Sequence, residues 1–123
     1  MAITFNTDRL QGLEGTTING VYGLIQSVTV KKYDATTDPD VAAYFGIMYD
    51  VVLHATAVKR NAAGEYPEWG NRLRSREIDH FTATVTTDQM NAADANSYTL
   101  AYADLKAKLA AGDSPIATSI ADA

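Results

Sequence analysis

Apolar side chains occupy every second position in the stretch Tyr44-Phe-Gly-Ile-Met-Tyr-Asp-Val-Val-Leu-His-Ala-Thr-Ala-Val58. Successive side chains of a β-strand point to opposite faces, so this alternation predicts a half-buried antiparallel strand. Its buried face would carry Phe45, Ile47, Tyr49, Val51, Leu53, Ala55 and Ala57. The preceding stretch, Ile18 to Tyr33, predicts a second strand of the same kind. The apolar face of that strand would carry Tyr22, Leu24, Val28 and Val30.

A third strand-like stretch, Arg72 to Thr86, does not keep one alternation throughout. Its odd positions carry Phe81, Ala83 and Val85. Ile78, by contrast, occupies an even position, and one regular strand cannot bury all four side chains on the same face. The sequence therefore predicts a β-bulge near Asp79, where one extra residue would shift the alternation.

A helix is predicted to begin after Thr86. Thr86 and Gln89 have the spacing of a capping box, in which each side chain bonds to the backbone N–H of the other residue. Further along, apolar residues recur at three- and four-residue steps and would share one helical face. These residues are Tyr98, Ala101, Tyr102, Leu105 and Leu109. Gly112 and Pro115 supply a stop signal, and we expect Asn96-Ser97 to interrupt the first half of the helix.

These patterns predict an α+β fold with an antiparallel sheet of three to four strands and one C-terminal amphipathic helix packed on it. The chain of 123 residues has room for one domain with one core. We expect an N-terminal arm over residues 1–17, a strand-strand-strand-helix core over 18–112 and a C-terminal tail over 113–123. The arm would begin with a short strand-like piece, Ile3 to Phe5.

Charge and composition limit the functions that the chain can perform. Ten Lys and Arg residues against fifteen Asp and Glu residues give a formal net charge of -5, which opposes general attraction to nucleic acid or anionic lipid. The absence of cysteine excludes disulfides, thiolate nucleophiles and cysteine-based zinc sites. No apolar stretch reaches the roughly 18 residues that a membrane-spanning helix requires. We therefore expect no membrane partner, and the first ten residues lack the apolar core of a signal peptide.

Two groups of residues carry side chains of the kinds that bind metal ions. His54 and His80 lie on strands that we expect to be neighbours, close to Asp50 and Asp79, but their spacing is not that of a metal-binding motif. A second group, Asp34, Asp38 and Asp40, lies in one loop that lacks the glycine and terminal glutamate of a calcium loop. We interpret the histidines as structural, the aspartates as turn residues, and expect no metal site.

No catalytic or cofactor motif is present either. The sequence lacks the Gly-x-Ser-x-Gly turn of a nucleophilic serine. Gly12, Gly15 and Gly20 do not have the spacing of a phosphate-binding glycine loop. We expect no catalytic residues, no cofactor and no enzymatic activity.

Basic residues flank the long loop Asn61 to Asn71 on both sides. They are Lys59, Arg60, Arg72, Arg74 and Arg76. The three arginines alternate and would share one strand face, where they could pair with carboxylates or phosphate. Together with Tyr66 and Trp69 in the loop, they form the predicted interface, and we favour a protein partner over nucleic acid. The alternative is a solvated strand edge that charge protects against aggregation.

Two other functions remain open. The first is a small ligand-binding or enzymatic domain with a pocket between sheet and helix. That pocket would be lined by Tyr22, Tyr44, Tyr49 and His54. The second is a nucleic-acid module that uses the Arg72 to Arg76 stripe, with affinity falling steeply as salt rises.

The chain resembles small virion structural proteins of tailed bacteriophages, especially those associated with tails and baseplates. The resemblance covers about residues 18–112. It rests on four segments: Gly20-Val-Tyr-Gly-Leu-Ile-Gln-Ser-Val-Thr-Val30, Val51 to Arg60, Arg76-Glu-Ile-Asp-His-Phe-Thr-Ala-Thr-Val85, and Asn96-Ser-Tyr-Thr-Leu-Ala-Tyr-Ala-Asp-Leu-Lys106. The last segment is the most characteristic.

This resemblance implies a non-enzymatic part that is synthesised in the host cytoplasm and built into the virion. Its partners would be other copies of itself and other virion proteins. In a ring of copies, one surface patch of each copy would bind a different surface patch of the neighbouring copy. The loop Asn61 to Asn71 and both termini would make these contacts.

Overall fold

In the computed structural model we describe residues 2–33, 43–55, 72–92 and 96–123. The strands are β1 (Ile3–Thr7), β2 (Ile18–Tyr33), β3 (Tyr44–His54), β4 (Arg72–Leu73), β5 (His80–Thr86) and β6 (Ala117–Asp122). The helices are α1 (Thr87–Met90) and α2 (Ser97–Ala110).

The described strands form one antiparallel sheet. Its order is β4-β3-β2-β1-β6, and β5 pairs with β3 on the same side as β4 does, beyond the end of β4. The side chains of α2 pack on this sheet and share its hydrophobic core. The predicted class, an antiparallel sheet with a C-terminal helix, is therefore confirmed, but the sheet contains six strands among the described residues alone, instead of three to four.

The predicted N-terminal arm and C-terminal tail are wrong, because both segments contribute strands to the sheet. β1 lies between β2 and β6, with Phe5 opposite Val21 and Asn6 opposite Thr118. The physical reason is the burial of Ile3 and Phe5, which belong to the central core cluster. Once β1 is paired and buried, its outer edge is available to β6.

β2 pairs with β3 along most of its length, but the register shifts between Ile25 and Ser27. This irregularity is a bulge at Gln26, and a one-residue insertion moves the side chains that follow to the other face. Ile25 faces the core before the bulge and Val28 packs against the core after it. The prediction that Tyr22, Leu24, Val28 and Val30 share one face is therefore wrong.

The predicted buried face of β3 is confirmed within the described residues. Ile47, Tyr49, Val51 and Leu53 are buried in the core, and Phe45 packs against it. Ala55 follows the end of the strand and is half-buried, whereas residue 57 lies outside the described residues.

The third predicted strand is interrupted by more than the single-residue bulge that we expected near Asp79. β4 ends at Leu73 and β5 begins at His80, so residues 74–79 leave the strand. Ile78 is nevertheless buried in the same core as Ala83 and Val85. The irregularity is where the sequence predicts it, but a whole turn replaces the bulge.

The helical signals are confirmed. Thr86 and Gln89 form both hydrogen bonds of the capping box at the start of α1. Asn96 accepts from the backbone N–H of Thr99 and begins α2, so the expected interruption separates two helices. α2 ends at Ala110, and Gly112 follows with a φ of 84°. Of the predicted apolar face, four residues are buried and Tyr98 is 42% exposed.

Tyr102 connects α2 to β2 just beyond the residue of β2 that faces the start of β1. Pairing of β2 with β1 stops at Gly23, and the backbone N–H of Ile25 donates to Tyr102 Oη at 2.8 Å. Burial raises the pKa of Tyr102 above its ordinary value, so the hydroxyl stays neutral. The tyrosine therefore provides an acceptor for a backbone donor that lies within the core.

Replacing Tyr102 by phenylalanine is expected to lower the free energy of unfolding by about 1–3 kcal/mol, because it leaves a buried N–H without this acceptor. Tyr98 is the matched control, since it lies one turn earlier on α2 and is exposed. Tyr98→Phe should change stability by less than about 0.5 kcal/mol. Urea denaturation followed by circular dichroism measures both values, and equal effects would contradict the assigned role of the hydroxyl.

Candidate interaction site

The turn over residues 74–79 borders a concavity of about 160 Å³. It lies beside β4, between this turn and the loop that follows β1. Its lining consists of Gln11, Val51, Arg72, Leu73, Arg74, Ser75, Arg76, Ile78 and Asp79. We call this surface the arginine concavity, because three of its nine lining residues are arginines.

Ser75 shapes the turn from inside. Its side chain is buried, and Oγ accepts hydrogen bonds from the backbone N–H groups of Glu77 at 3.3 Å and Ile78 at 3.2 Å. Serine commonly bonds to nearby backbone in this way and so competes with strand pairing. The chain returns to β3 at Asp79, whose carbonyl accepts from the N–H of Val51 at 2.7 Å.

The loop after β1 docks onto the outside of the same turn. The N–H of Gln11 donates to the carbonyl of Arg74 at 2.7 Å. The guanidinium of Arg9 contacts both carboxylate oxygens of Glu77, at 3.1 and 2.8 Å, and Asp8 at 3.0 Å. Two segments that are distant in the sequence therefore hold each other, and they fix the backbone of the concavity.

The predicted alternating strand face of arginines is wrong, since only Arg72 belongs to a strand. Arg74 and Arg76 lie in the turn and are exposed, whereas Arg72 is half-buried. The serine-capped turn explains the difference, because it removes both residues from the pairing that would have aligned them. The structure still brings the three residues together, as lining of one concavity.

The remaining predicted interface residues cannot be placed on this surface. Lys59, Arg60, Tyr66 and Trp69 lie outside the described residues, together with the loop Asn61 to Asn71.

The two histidines lie on neighbouring strands as predicted, β3 and β5, but they do not approach each other. His80 lies opposite Asp50, whereas His54 lies opposite Tyr22 and Arg72 at the far end of β3. Four residues of strand, about 13 Å, separate these two positions. His54 is fully buried and His80 is exposed. Within the described ranges, no group of three or more His, Cys, Asp or Glu side chains could hold a metal ion. The aspartates at 34, 38 and 40 lie outside those ranges.

Asp50 is held in a polar cluster on the face of the sheet that points away from α2. Ser27 Oγ donates to Asp50 Oδ2 at 2.7 Å, and His80 Nδ1 lies 2.8 Å from Asp50 Oδ1. These hydrogen bonds, that of Ser27 foremost, hold the pKa of Asp50 below its ordinary value. Asp50 therefore carries its negative charge throughout the neutral pH range.

The four residues proposed for an alternative ligand pocket lie on two faces of the sheet. Tyr49 faces α2, where its hydroxyl donates to Asp104 at 2.6 Å. Burial, followed by this hydrogen bond, raises the pKa of Tyr49. Tyr22 and His54 lie opposite each other, with Tyr44 an even number of residues from His54 along β3. This places all three on the other face, so the four side chains do not converge on one pocket.

Sequence reasoning missed Gln11 and Ser75. Gln11 reaches the site through a hydrogen bond to a residue far along the chain, and no local pattern predicts such a contact. Ser75 carries a usable signal, because a serine within a strand-like run can bond to the backbone two or three residues ahead.

No family model, curated protein or solved structure matches this chain. In the part of the chain that the structure describes, neither helix is long and apolar enough to cross a membrane.

Proposed function

We propose that this chain is a non-enzymatic structural component of a phage virion, in the tail or the baseplate, which assembles with copies of itself and with other virion proteins. The observation that carries the proposal is the arginine concavity, where three arginines line one hollow of about 160 Å³. The resemblance of residues 18–112 to small proteins of phage tails and baseplates is the reason for proposing a virion as the assembly.

Arginine suits a protein interface of this kind. Its planar guanidinium forms paired hydrogen bonds with a carboxylate, and it is enriched among residues that dominate interface energies. The chain as a whole carries a net charge of -5, so the concavity is a local exception to an acidic protein. An acidic surface, on another copy or on a neighbouring protein, fits it better than nucleic acid does, since the remaining charge would repel a phosphate backbone.

The interior of the fold also supports a structural role. The space between α2 and the sheet is filled by packed side chains, among them Leu105 and Leu109 of the helix and Tyr49 and Val51 of β3. Asp104 of α2 accepts a hydrogen bond from Tyr49 and also contacts Lys108, so these polar groups are used in packing. A rigid block with a charged outer patch is suited to repeated assembly.

Replacing Arg74 by glutamate is expected to reduce incorporation into particles at least about tenfold, which corresponds to about 1.4 kcal/mol of binding. Arg74 is chosen because it is exposed, and because its contact with Gln11 uses the backbone carbonyl, which the substitution retains. The variant and the wild-type chain would be co-expressed during infection and their ratio compared between cell lysate and purified particles by mass spectrometry.

Lys106→Glu is the matched control, since it changes the net charge equally at a residue that does not line the concavity, where two like charges replace an exposed ion pair with Asp122. Exposed pairs of this kind contribute little to stability, so this variant should enter particles like the wild type. Equal incorporation of both variants would contradict the role of the arginine concavity.

A further inference from the structure

Among the described strands, none pairs with the outer edge of β2 over most of the second half of that strand. Pairing of β2 with β1 reaches only from Ile18 to Gly23, and no described strand lies beside residues 27–33 on that side. Their side chains are exposed except for Val28, and Val30 is a large apolar residue at 41% exposure. An open edge of this kind presents backbone groups that can pair with another strand.

The backbone along this edge of β2 is also more regular than that of β6, the strand at the end of the sheet. From Ser27 opposite Asp50 to Tyr33 opposite Tyr44, β2 pairs with β3 without interruption. The outer strand β6, by contrast, contains Ser119 at a φ of 53°, and its register with β1 shifts. Irregular backbone of this kind hinders the addition of a further strand, so the second half of β2 is better suited to pairing than β6 is.

We propose that a second copy of this chain pairs with residues 27–31 of β2, antiparallel and around a two-fold axis at Thr29. The inference rests on the proposed assembly role and names one of its contacts. The axis stands perpendicular to the sheet, so each residue faces one on the same side of the second copy's strand.

The register follows from the side chains. With Thr29 on the axis, Val28 of each copy faces Val30 of the other, which joins two apolar pairs on the face toward the core. On the opposite face, Lys31 of each copy faces Ser27 of the other. No lysine faces a lysine, and opposed like charges are what destabilises strand pairs. An axis at Val30 instead would place Val28 opposite Lys32 and replace the two Val28–Val30 pairs by a single Val30–Val30 pair.

Charge favours the same arrangement. Ser27 lies beside Asp50 on β3 and donates to its carboxylate, so Lys31 of the second copy would approach an anionic group. Strands lie about 4.8 Å apart, which makes Lys31 and Asp50 next-nearest neighbours across the joined sheet. A lysine on a strand edge opposes pairing with other strands in general. In this arrangement the charge of Lys31 is instead complementary to that of Asp50 in the second copy.

Site-directed cross-linking tests the register directly, because the chain contains no cysteine. Residues that face themselves across an antiparallel pair have Cα atoms about 4.5–5.5 Å apart, within the range of a disulfide. Thr29→Cys should therefore form a covalent dimer under mild oxidation at least about tenfold faster than Leu13→Cys, an exposed control at 45% exposure in the loop after β1. In Val30→Cys the two cysteines would lie two positions apart along the paired strands, so this variant should cross-link more slowly than Thr29→Cys. A Thr29→Cys rate equal to that of Leu13→Cys would overturn the proposal.

Sedimentation velocity tests the interface without cross-links. The wild-type chain should form a concentration-dependent dimer, and Val30→Lys should raise its dissociation constant at least tenfold, whereas Leu13→Lys should leave it unchanged. Both residues are exposed, so neither change removes core packing. A wild-type chain that stays monomeric, or equal effects of the two variants, would overturn the edge pairing. The proposed function would survive that result if the chain is still incorporated into particles.

Discussion

Replacing Phe5 by alanine is expected to lower the free energy of unfolding by about 3–5 kcal/mol, the range for truncating a buried aromatic side chain. The ring is 1% exposed and lies against the backbone of β2, where a Cβ atom on Gly23 would come within 2.9 Å of Phe5 Cε1. The lost ring would leave a cavity between β1, β2 and the core. Urea denaturation followed by circular dichroism measures the change as a lower midpoint.

Thr4 provides the control for Phe5. It is the preceding residue of β1, it is half-buried, and its side chain points to the opposite face of the sheet. Thr4→Ala should therefore cost well under half as much. If the first residues were a dispensable arm, Phe5→Ala would leave the midpoint unchanged, and that result would contradict the placement of β1 in the sheet.

Replacing Leu53 by alanine is expected to cost about 2–5 kcal/mol, again through a cavity that the surroundings fill only in part. Leu53 is 1% exposed. It lies near the end of β3, where β3 pairs with β4. Met48, on the opposite face of the same strand and half-buried, is the comparison for a similar loss of apolar volume. If Met48→Ala destabilised the protein as much as Leu53→Ala, the assignment of the two faces of β3 would be refuted.

The elements predicted correctly are those whose signals lie within a few residues of each other. The alternation along β3 identifies its core face because the even positions include polar residues such as Asp50 and His54. The capping box joins Thr86 and Gln89 across one helical turn. Such short-range patterns favour a local conformation, and in these elements the tertiary structure retains that conformation.

β2 shows why alternation can fail. Apolar residues occupy both its odd and even positions before the bulge, since Val21 and Ile25 lie among Tyr22 and Leu24. Either the odd or the even positions could form the core face. Because of the bulge at Gln26, odd positions face the core before it and even positions face the core after it. The sequence contains no local mark that separates these alternatives, because the choice depends on pairing with β1 and β3.

The strand-like piece Ile3 to Phe5 is confirmed as part of β1, but the place of both terminal segments in the sheet and the arginine concavity were missed, for a related reason. β1 pairs with β6, from the far end of the chain, and five residues with two large apolar side chains predict little on their own. The concavity exists because Ser75 ends the strand and because Gln11 binds the turn. The arginines were identified from their charge, but their arrangement depends on these contacts.

The proposal that the chain is a structural part of a virion is tested most directly by quantitative mass spectrometry of virus particles purified from cells in which the chain is expressed from its own genome. We expect the chain in a fixed number of copies per particle, comparable to those of other tail or baseplate proteins. A chain that is abundant in infected cells but absent from purified particles would contradict the proposal.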